Sequence, residues 1–183
     1  MKLNLEYYIP KESNIPEAKY KVIEDFVTKY EEKNYEDNIV EIDSNKLQFF
    51  STIGHNILNW YPFKNNSTIL EIGGNLGEIT GMLCQKGRQV VTVEEDLKKA
   101  ELISKRHNDK ENLDIIAGNL NDIDFKGKKF DYITLIGSLP YVAKTALGML
   151  GLKKWPVRLV SPPPRHSACG IMPTLKSVPL PAR

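Results

Sequence analysis

The 183 residues carry 41% apolar and 26% charged side chains, enough for one domain with its own core. No apolar run approaches the roughly 20 residues that a membrane helix needs, and the Met1-Lys-Leu-Asn-Leu-Glu6 start lacks an apolar signal core. The net charge of +2 hides a split: seven of the 25 basic residues and none of the 23 acidic ones lie beyond residue 142, so residues 1–142 carry −5 and offer no basic stripe for a nucleic-acid backbone.

In chain order, Ile15–Glu32 sets Ala18, Val22, Ile23, Phe26 and Val27 at helical spacing. The mixed charges of Lys29-Tyr-Glu-Glu-Lys33 read as a solvated helix face. A second helix spans Leu47–Trp60, with Phe50, Ile53, Ile57, Leu58 and Trp60 on its apolar side, and Pro62 and Asn65-Asn66 end it. Strands and helices then alternate: strand Thr68–Ile72, helix Glu78–Lys86 closed by Gly87, strand Gln89–Glu94, helix Leu97–His107 capped by Asp96, and strand Leu113–Ala117. Tyr132–Ile136, continuously apolar, reads as a strand buried on both faces. This alternation predicts an α/β fold with a Rossmann-like, doubly wound, mostly parallel sheet. The domains are a helical segment over 1–66, a core over 67–142 and a tail over 143–183.

The tail has no Asn, Asp or Glu and holds seven of the eleven prolines. Proline breaks helices and inner strands, so an irregular chain is expected. The abrupt change at Ala143 favours a frameshift, fusion scar or cloning artefact over a native Pro-rich tail, and a fold left incomplete at its C-terminus.

In such a sheet ligands bind outside the carboxyl ends of the strands, at the switch point. The loop there is Glu71-Ile-Gly73-Gly74-Asn75-Leu76-Gly77. A dinucleotide loop starting at Gly73 needs glycine at 75 and 78, where Asn75 and Glu78 stand, and an anionic Glu78 at the helix start repels a pyrophosphate. A Walker loop fails because no Gly-Lys-Ser/Thr follows.

Glu71, Gly73, Gly77 and Thr80 instead resemble the first motif of class I S-adenosylmethionine-dependent methyltransferases, an acid before a Gly-rich turn. The resemblance implies S-adenosyl-L-methionine as cofactor and assigns roles. Glu71 holds the cationic amino group of the methionine part. Gly73, Gly74 and Gly77 make room for the cofactor, and Asn75 departs from the usual central glycine. Glu94, ending the second strand about twenty residues on, suits the ribose hydroxyls, with Glu95 adjacent and Asp96 capping the next helix. Asn119, in Ala117-Gly-Asn-Leu120, reaches the adenine amino group, its rival role being a turn. Leu120 adjoins it. Gly137, Ser138 and Leu139, after Phe130–Ile136, line the active-site floor.

Asn59-Trp-Tyr-Pro-Phe-Lys64, Lys105-Arg-His-Asn-Asp109 and Gly118-Asn-Leu-Asn-Asp-Ile123 are similar to bacterial methyltransferase domains found with glycosyltransferases of surface-polysaccharide synthesis. That implies O-methylation of a sugar, glycan or small-molecule acceptor, a glycosyltransferase partner, no nucleic acid and a cytoplasmic setting. Among other candidates, His107 late in a helix reads as a cation favoured by the helix dipole. His55 reads as packed or superficial before it reads as a base, and Trp60 with Tyr61 as packing or a cofactor lid. Tyr141 stands near the active-site floor. Cys84 reads as plain core, and His166 in the tail has no role. No metal spacing is present, and no base is identifiable. The rival functions are an inactive, truncated cofactor-binding fragment, an NAD(P)-binding oxidoreductase and a non-enzymatic interaction module.

Overall fold

The computed structural model describes residues 2–13, 15–38 and 50–136. Where β-branched and aliphatic residues run together they form β2 (Thr68–Ile72), β3 (Gln89–Glu94) and β4 (Leu113–Ala117), with the bounds that the sequence suggests. β5 is shorter than expected, Tyr132–Thr134. A further strand, β1 (Lys2–Asn4), pairs with β4 through Lys2 and Asp114. All pairings are parallel, in the order β1-β4-β3-β2-β5. The winding leaves β2 in one direction through β3 to β4 and in the other to β5, so the switch point lies at β2. This is the Rossmann-like sheet of the class I methyltransferase type.

The pleat sends alternate residues to opposite faces, and both faces are covered. Ile69, Val90, Leu113 and Ile115 pack with Leu83 of α3 (Thr80–Lys86) and Ile103 of α4 (Leu97–Arg106). Leu70, Val91 and Ile133 pack on the other face against Ile123, Phe125 and Phe130. Asp96 caps α4 by accepting from Lys98 N at 3.0 Å, a contact that contributes about 1 kcal/mol. Gly87 ends α3 in an extended conformation, so a left-handed cap does not explain it. A Cβ there would come within 2.9 Å of Ile69 Cδ1, and the close packing of helix on strand accounts for the glycine.

α1 (Glu17–Lys29) turns Tyr20, Ile23, Phe26 and Val27 inward, while Val22 is 45% exposed and Ala18 faces solvent. It runs beside α4, tied by the ion pairs Glu17–Lys98 and Glu24–Lys105, whose equal spacing sets the two helices parallel. A 3-10 turn (Glu32–Asn34) and α2 (Tyr35–Asn38) follow. The helix expected over Leu47–Trp60 is a 3-10 segment, Thr52–Ile57, within the described part, and Ile57 and Trp60 are 45% and 43% exposed. Gly54 and β-branched Thr52 and Ile53 weaken a long α-helix there. The tail over 143–183 lies outside the described residues. Among the described residues no helix is long and apolar enough to cross a membrane.

Candidate cofactor-binding site

β2 and β3 end side by side, Ile72 beside Val93. The chain then turns through Gly73–Gly77. Gly73 and Gly77 adopt φ of 76° and 80°, and Asn75 adopts 50°. Asn enters this left-handed region more readily than most residues, so the missing central glycine is accommodated. Gly73 N donates to Val93 O at 2.8 Å and Gly77 N to Gly74 O at 2.8 Å, pinning the turn at both ends.

Three carboxylates surround this turn. Glu71 is 5% exposed, and its Oε2 accepts from Thr80 Oγ1 at 2.7 Å and Thr92 Oγ1 at 2.8 Å. Among the described residues no donor reaches its Oε1. Burial pushes its carboxyl up to about 7, outweighing the two hydroxyls and reinforced by repulsion from Glu78 and Glu94. Glu94 accepts from Asn75 N at 2.8 Å and from Asp96 N at 3.0 Å, and burial raises its pKa as well. Glu78 folds back onto the turn, accepting from Asn75 Nδ2 at 2.9 Å and Leu76 N at 3.3 Å, and its pKa too is raised by burial.

Neither Glu71 nor Glu94 has a lysine or arginine ion-pair partner among the described residues. Two desolvated acids with no close ion pair among the described residues, Glu94 feeling only Lys99 from beyond ion-pair distance, favour a cationic ligand and repel an anionic one. S-adenosylmethionine carries a sulfonium and an ammonium against one carboxylate, so the residues present fit it. A pyrophosphate is disfavoured further, because the Glu78 carboxylate already takes the Leu76 amide.

The glycines divide their roles. A Cβ on Gly74 would lie 2.4 Å from Thr92 Cγ2, and one on Gly77 would lie 2.8 Å from His107 Nε2. These two make room for protein, where the sequence suggests room for cofactor. Asn119 Oδ1 accepts from Asn121 N at 2.9 Å and Nδ2 at 3.0 Å, the arrangement of a turn residue, while its Nδ2 donates to Glu95 Oε1 at 3.3 Å. Leu120 packs on the Ile123–Phe130 side of the sheet. Gly137, Ser138, Leu139 and Tyr141 lie outside the described residues.

Some features had no signal in the sequence. After β1 the chain crosses the carboxyl ends of β3 and β4, so close to Gly118 that a Cβ there would meet Tyr7 O at 2.7 Å. Tyr7 Oη donates to Asp124 O at 3.0 Å, Lys11 pairs with Glu95 at 2.6 Å, and Ser13 Oγ donates to Asp96 Oδ2 at 2.7 Å. Glu32, read as solvated, instead meets Arg106 and the wholly buried His107. Its charge-run neighbours misled, because Glu32 lies past the end of α1, in a 3-10 turn from which its side chain meets the end of α4. His107 does end α4, yet its Nε2 bonds the Gly77 carbonyl at 2.8 Å. His55 Nε2 lies 2.7 Å from Glu78 O and is packed. Tyr61 stacks edge-on with Trp60, Phe63 and Tyr132, the first residue of β5. That cluster is at the amino ends of the strands and is packing, with no lid. Cys84 is buried, which pushes its thiol up to about 12.

The family model for ribosomal RNA adenine dimethylase matches residues 20–163, past the compositional break at 142. The probable ribosomal RNA small subunit methyltransferase A of Methanosarcina mazei is 33% identical over 108 residues, 52% of this chain and 38% of that protein. Its namesake in Methanosarcina acetivorans is 33% identical over 110 residues, 54% and 39%. The chain thus spans about two fifths of the length of the curated relatives it matches. A dimethyladenosine transferase structure from Plasmodium falciparum aligns at 20% identity and a TM-score of 0.44, over 56% of this chain and 38% of that one.

The family match overturns the sugar, glycan or small-molecule acceptor, the glycosyltransferase partner and the expected absence of nucleic acid. The physical reasons are visible. The three segments behind the glycan reading are packing and turn segments, namely the Trp60–Tyr61–Phe63 cluster, buried Arg106-His107 and the Asn119 turn, so they report fold and no acceptor. The net charge of −5 over 1–142 includes the buried acids of the cofactor turn, which say nothing about a surface that meets RNA.

Proposed function

The chain belongs to the ribosomal RNA adenine dimethylase family, and from that premise we propose that it methylates an adenine of small-subunit ribosomal RNA. Its cofactor is S-adenosylmethionine. One observation carries the reading: Glu71 and Glu94 are buried where adjacent strands end at the switch point, with no lysine or arginine ion-pair partner among the described residues. The substrate class rests on the family and on the names of the Methanosarcina relatives.

Two methyl groups on one adenine require a nitrogen with two replaceable hydrogens, and the exocyclic amine is the only such atom of the base. When bound, the cofactor supplies a methyl on a sulfonium that departs as a neutral thioether. The chain's own residues bind and orient. Glu71 offers Oε1 to the cofactor's ammonium, a charge-assisted contact. Glu94 has lone pairs left for the ribose hydroxyls beside those used by Asn75 and Asp96. The left-handed Gly73 and Asn75 fix the direction of the turn between them.

The sequence sets Ser138-Leu-Pro-Tyr141 just after β5, the strand next to β2. Unpaired bases are held by stacking on aromatic rings, and Tyr141 is the aromatic residue of this segment that we propose for that role. Holding the amine near the methyl replaces a bimolecular collision by an oriented approach.

The test is incubation with small-subunit ribosomal RNA and methyl-labelled S-adenosylmethionine, followed by nucleoside analysis. The expected product is adenosine carrying label on its exocyclic amine. Cofactor binding with no label in any nucleoside would reject the RNA acceptor while leaving the cofactor site standing.

A further inference from the structure

A turn built on Gly73, Gly74 and Gly77 has many accessible conformations, and something must hold it in one. Glu94 holds one side by accepting from Asn75 N at 2.8 Å. The other side rests on two neighbours at the end of α4. Arg106 Nη1 donates to Leu76 O at 3.0 Å, and His107 Nε2 sits 2.8 Å from Gly77 O. A carbonyl only accepts, so Nε2 must be the donor. Arg106 and His107 are 5% and 0% exposed.

Both side chains are backed by one carboxylate. Glu32 Oε1 accepts from Arg106 Nε at 3.1 Å, and Oε2 lies 3.2 Å from His107 Nδ1, a close approach without hydrogen-bond geometry. Burial works against the ionised form of Glu32, but the His107 ring and the Arg106 guanidinium prevail and hold its carboxyl at about 2. The guanidinium also lies over the Tyr35 and Phe50 rings, 5.2 and 5.5 Å from their centroids. Glu78 of the turn also interacts electrostatically with Arg106.

Two glycines show that this arrangement is built in. A Cβ on Gly81 would lie 2.5 Å from Glu32 Oε2 and 2.8 Å from His107 Cε1, and one on Gly77 would lie 2.8 Å from His107 Nε2. A side chain at either position would press on the Glu32 carboxylate or the His107 ring where the structure packs them.

We propose that half-buried Glu32 and the buried Arg106 and His107 form a clamp that sets the cofactor affinity of the Gly73–Gly77 turn. They are positioning residues and touch no substrate. Glu32 comes from the helical layer that the sequence sets apart as residues 1–66, so that layer is a working part of the cofactor site. The inference rests on reading the turn as the S-adenosylmethionine site.

The experiment is steady-state methyl transfer with Glu32→Gln and Gly81→Ala. Glu32→Gln keeps the shape and removes the charge. Gly81→Ala keeps every charge and displaces Glu32. The clamp predicts that KM for S-adenosylmethionine rises tenfold or more in Glu32→Gln and severalfold in Gly81→Ala, with kcat at saturating cofactor and KM for RNA unchanged. A role in stability alone would lower the active fraction, and hence apparent kcat, with KM for the cofactor unmoved, and that result overturns the proposal. One readout needs no variant and no bound cofactor: nitrogen NMR of the wild-type His107 ring must show a slowly exchanging proton on Nε2. An unprotonated Nε2 rejects the clamp even if the variants do not fold. Failure of the wild type to bind S-adenosylmethionine would instead reject the cofactor reading, with the Nε2 proton still present.

Discussion

Replacing Glu71 by Gln separates what this carboxylate does for folding from what it does for binding. Gln keeps an acceptor for the Thr80 and Thr92 hydroxyls and removes the charge. In the folded protein the Glu71 carboxyl stands at about 7 against an ordinary 4.5. Below pH 4.5 both folded and unfolded chains hold the proton, and the charge has no effect on stability. Between 4.5 and 7 the unfolded chain ionises first, so wild type loses stability relative to Glu71→Gln as pH rises. Above 7 the loss levels off at about 3 kcal/mol, from roughly 1.4 kcal/mol per tenfold. Glu71→Gln should therefore match wild type at pH 4.5 and exceed it by up to about 3 kcal/mol at pH 8, some 5–10 °C in Tm for a domain of this size. The same change removes a charge-assisted contact to the ammonium, so S-adenosylmethionine binding at pH 8 should weaken by about 10–100-fold. Urea melts across this pH range, paired with calorimetric titration, measure both. If Glu71→Gln is no more stable at pH 8, or binds the cofactor as tightly, the reasoning fails.

Other outcomes follow from the same geometry. Asp96→Ala removes the α4 cap and the acceptor for Ser13, and should destabilise by about 1–2 kcal/mol in urea while exposing residues 5–13 to protease; unchanged melting and cleavage would refute it. Asn75→Ala, forced to φ near 50°, should cost about 1 kcal/mol and weaken cofactor binding, and Asn75→Gly should restore the turn. Tyr141→Ala should lower kcat/KM for RNA by about 10–100-fold, the range expected for one lost stacking contact, with cofactor affinity intact. The ionised Glu32 stabilises the fold above pH 4.5, and this contribution fades as pH falls toward 2. Acid titration of Glu32→Gln should show a shallower loss of stability in that window.

The strands β2, β3 and β4 were legible because each is a short apolar or β-branched run, and α4 because Asp96 announces its start. Glu71, Gly73 and Glu94 were legible because strand ends and glycine turns place them at the switch point whatever the rest of the chain does. β1 was not: three residues show no period, and its register depends on Asp114, far along the chain. The Leu47–Trp60 stretch has helical spacing, yet its described part is a 3-10 segment anchored by His55 on Glu78 O, a tertiary contact that overrides the pattern. Glu32 sat in a charge run that looks solvated, and only folding brings it to Arg106 and His107. The acceptor was misread because the segments used to infer it serve packing.

The central claim, that two buried acids make this turn a site for a cationic cofactor, is tested most directly by calorimetric titration of wild type near pH 7 in buffers of different ionisation enthalpy. With Glu71 half protonated at about 7, the account predicts that S-adenosylmethionine binds with release of roughly half a proton, and that NAD gives no binding heat. Tight binding of NAD, or binding of S-adenosylmethionine with no proton released, would contradict it.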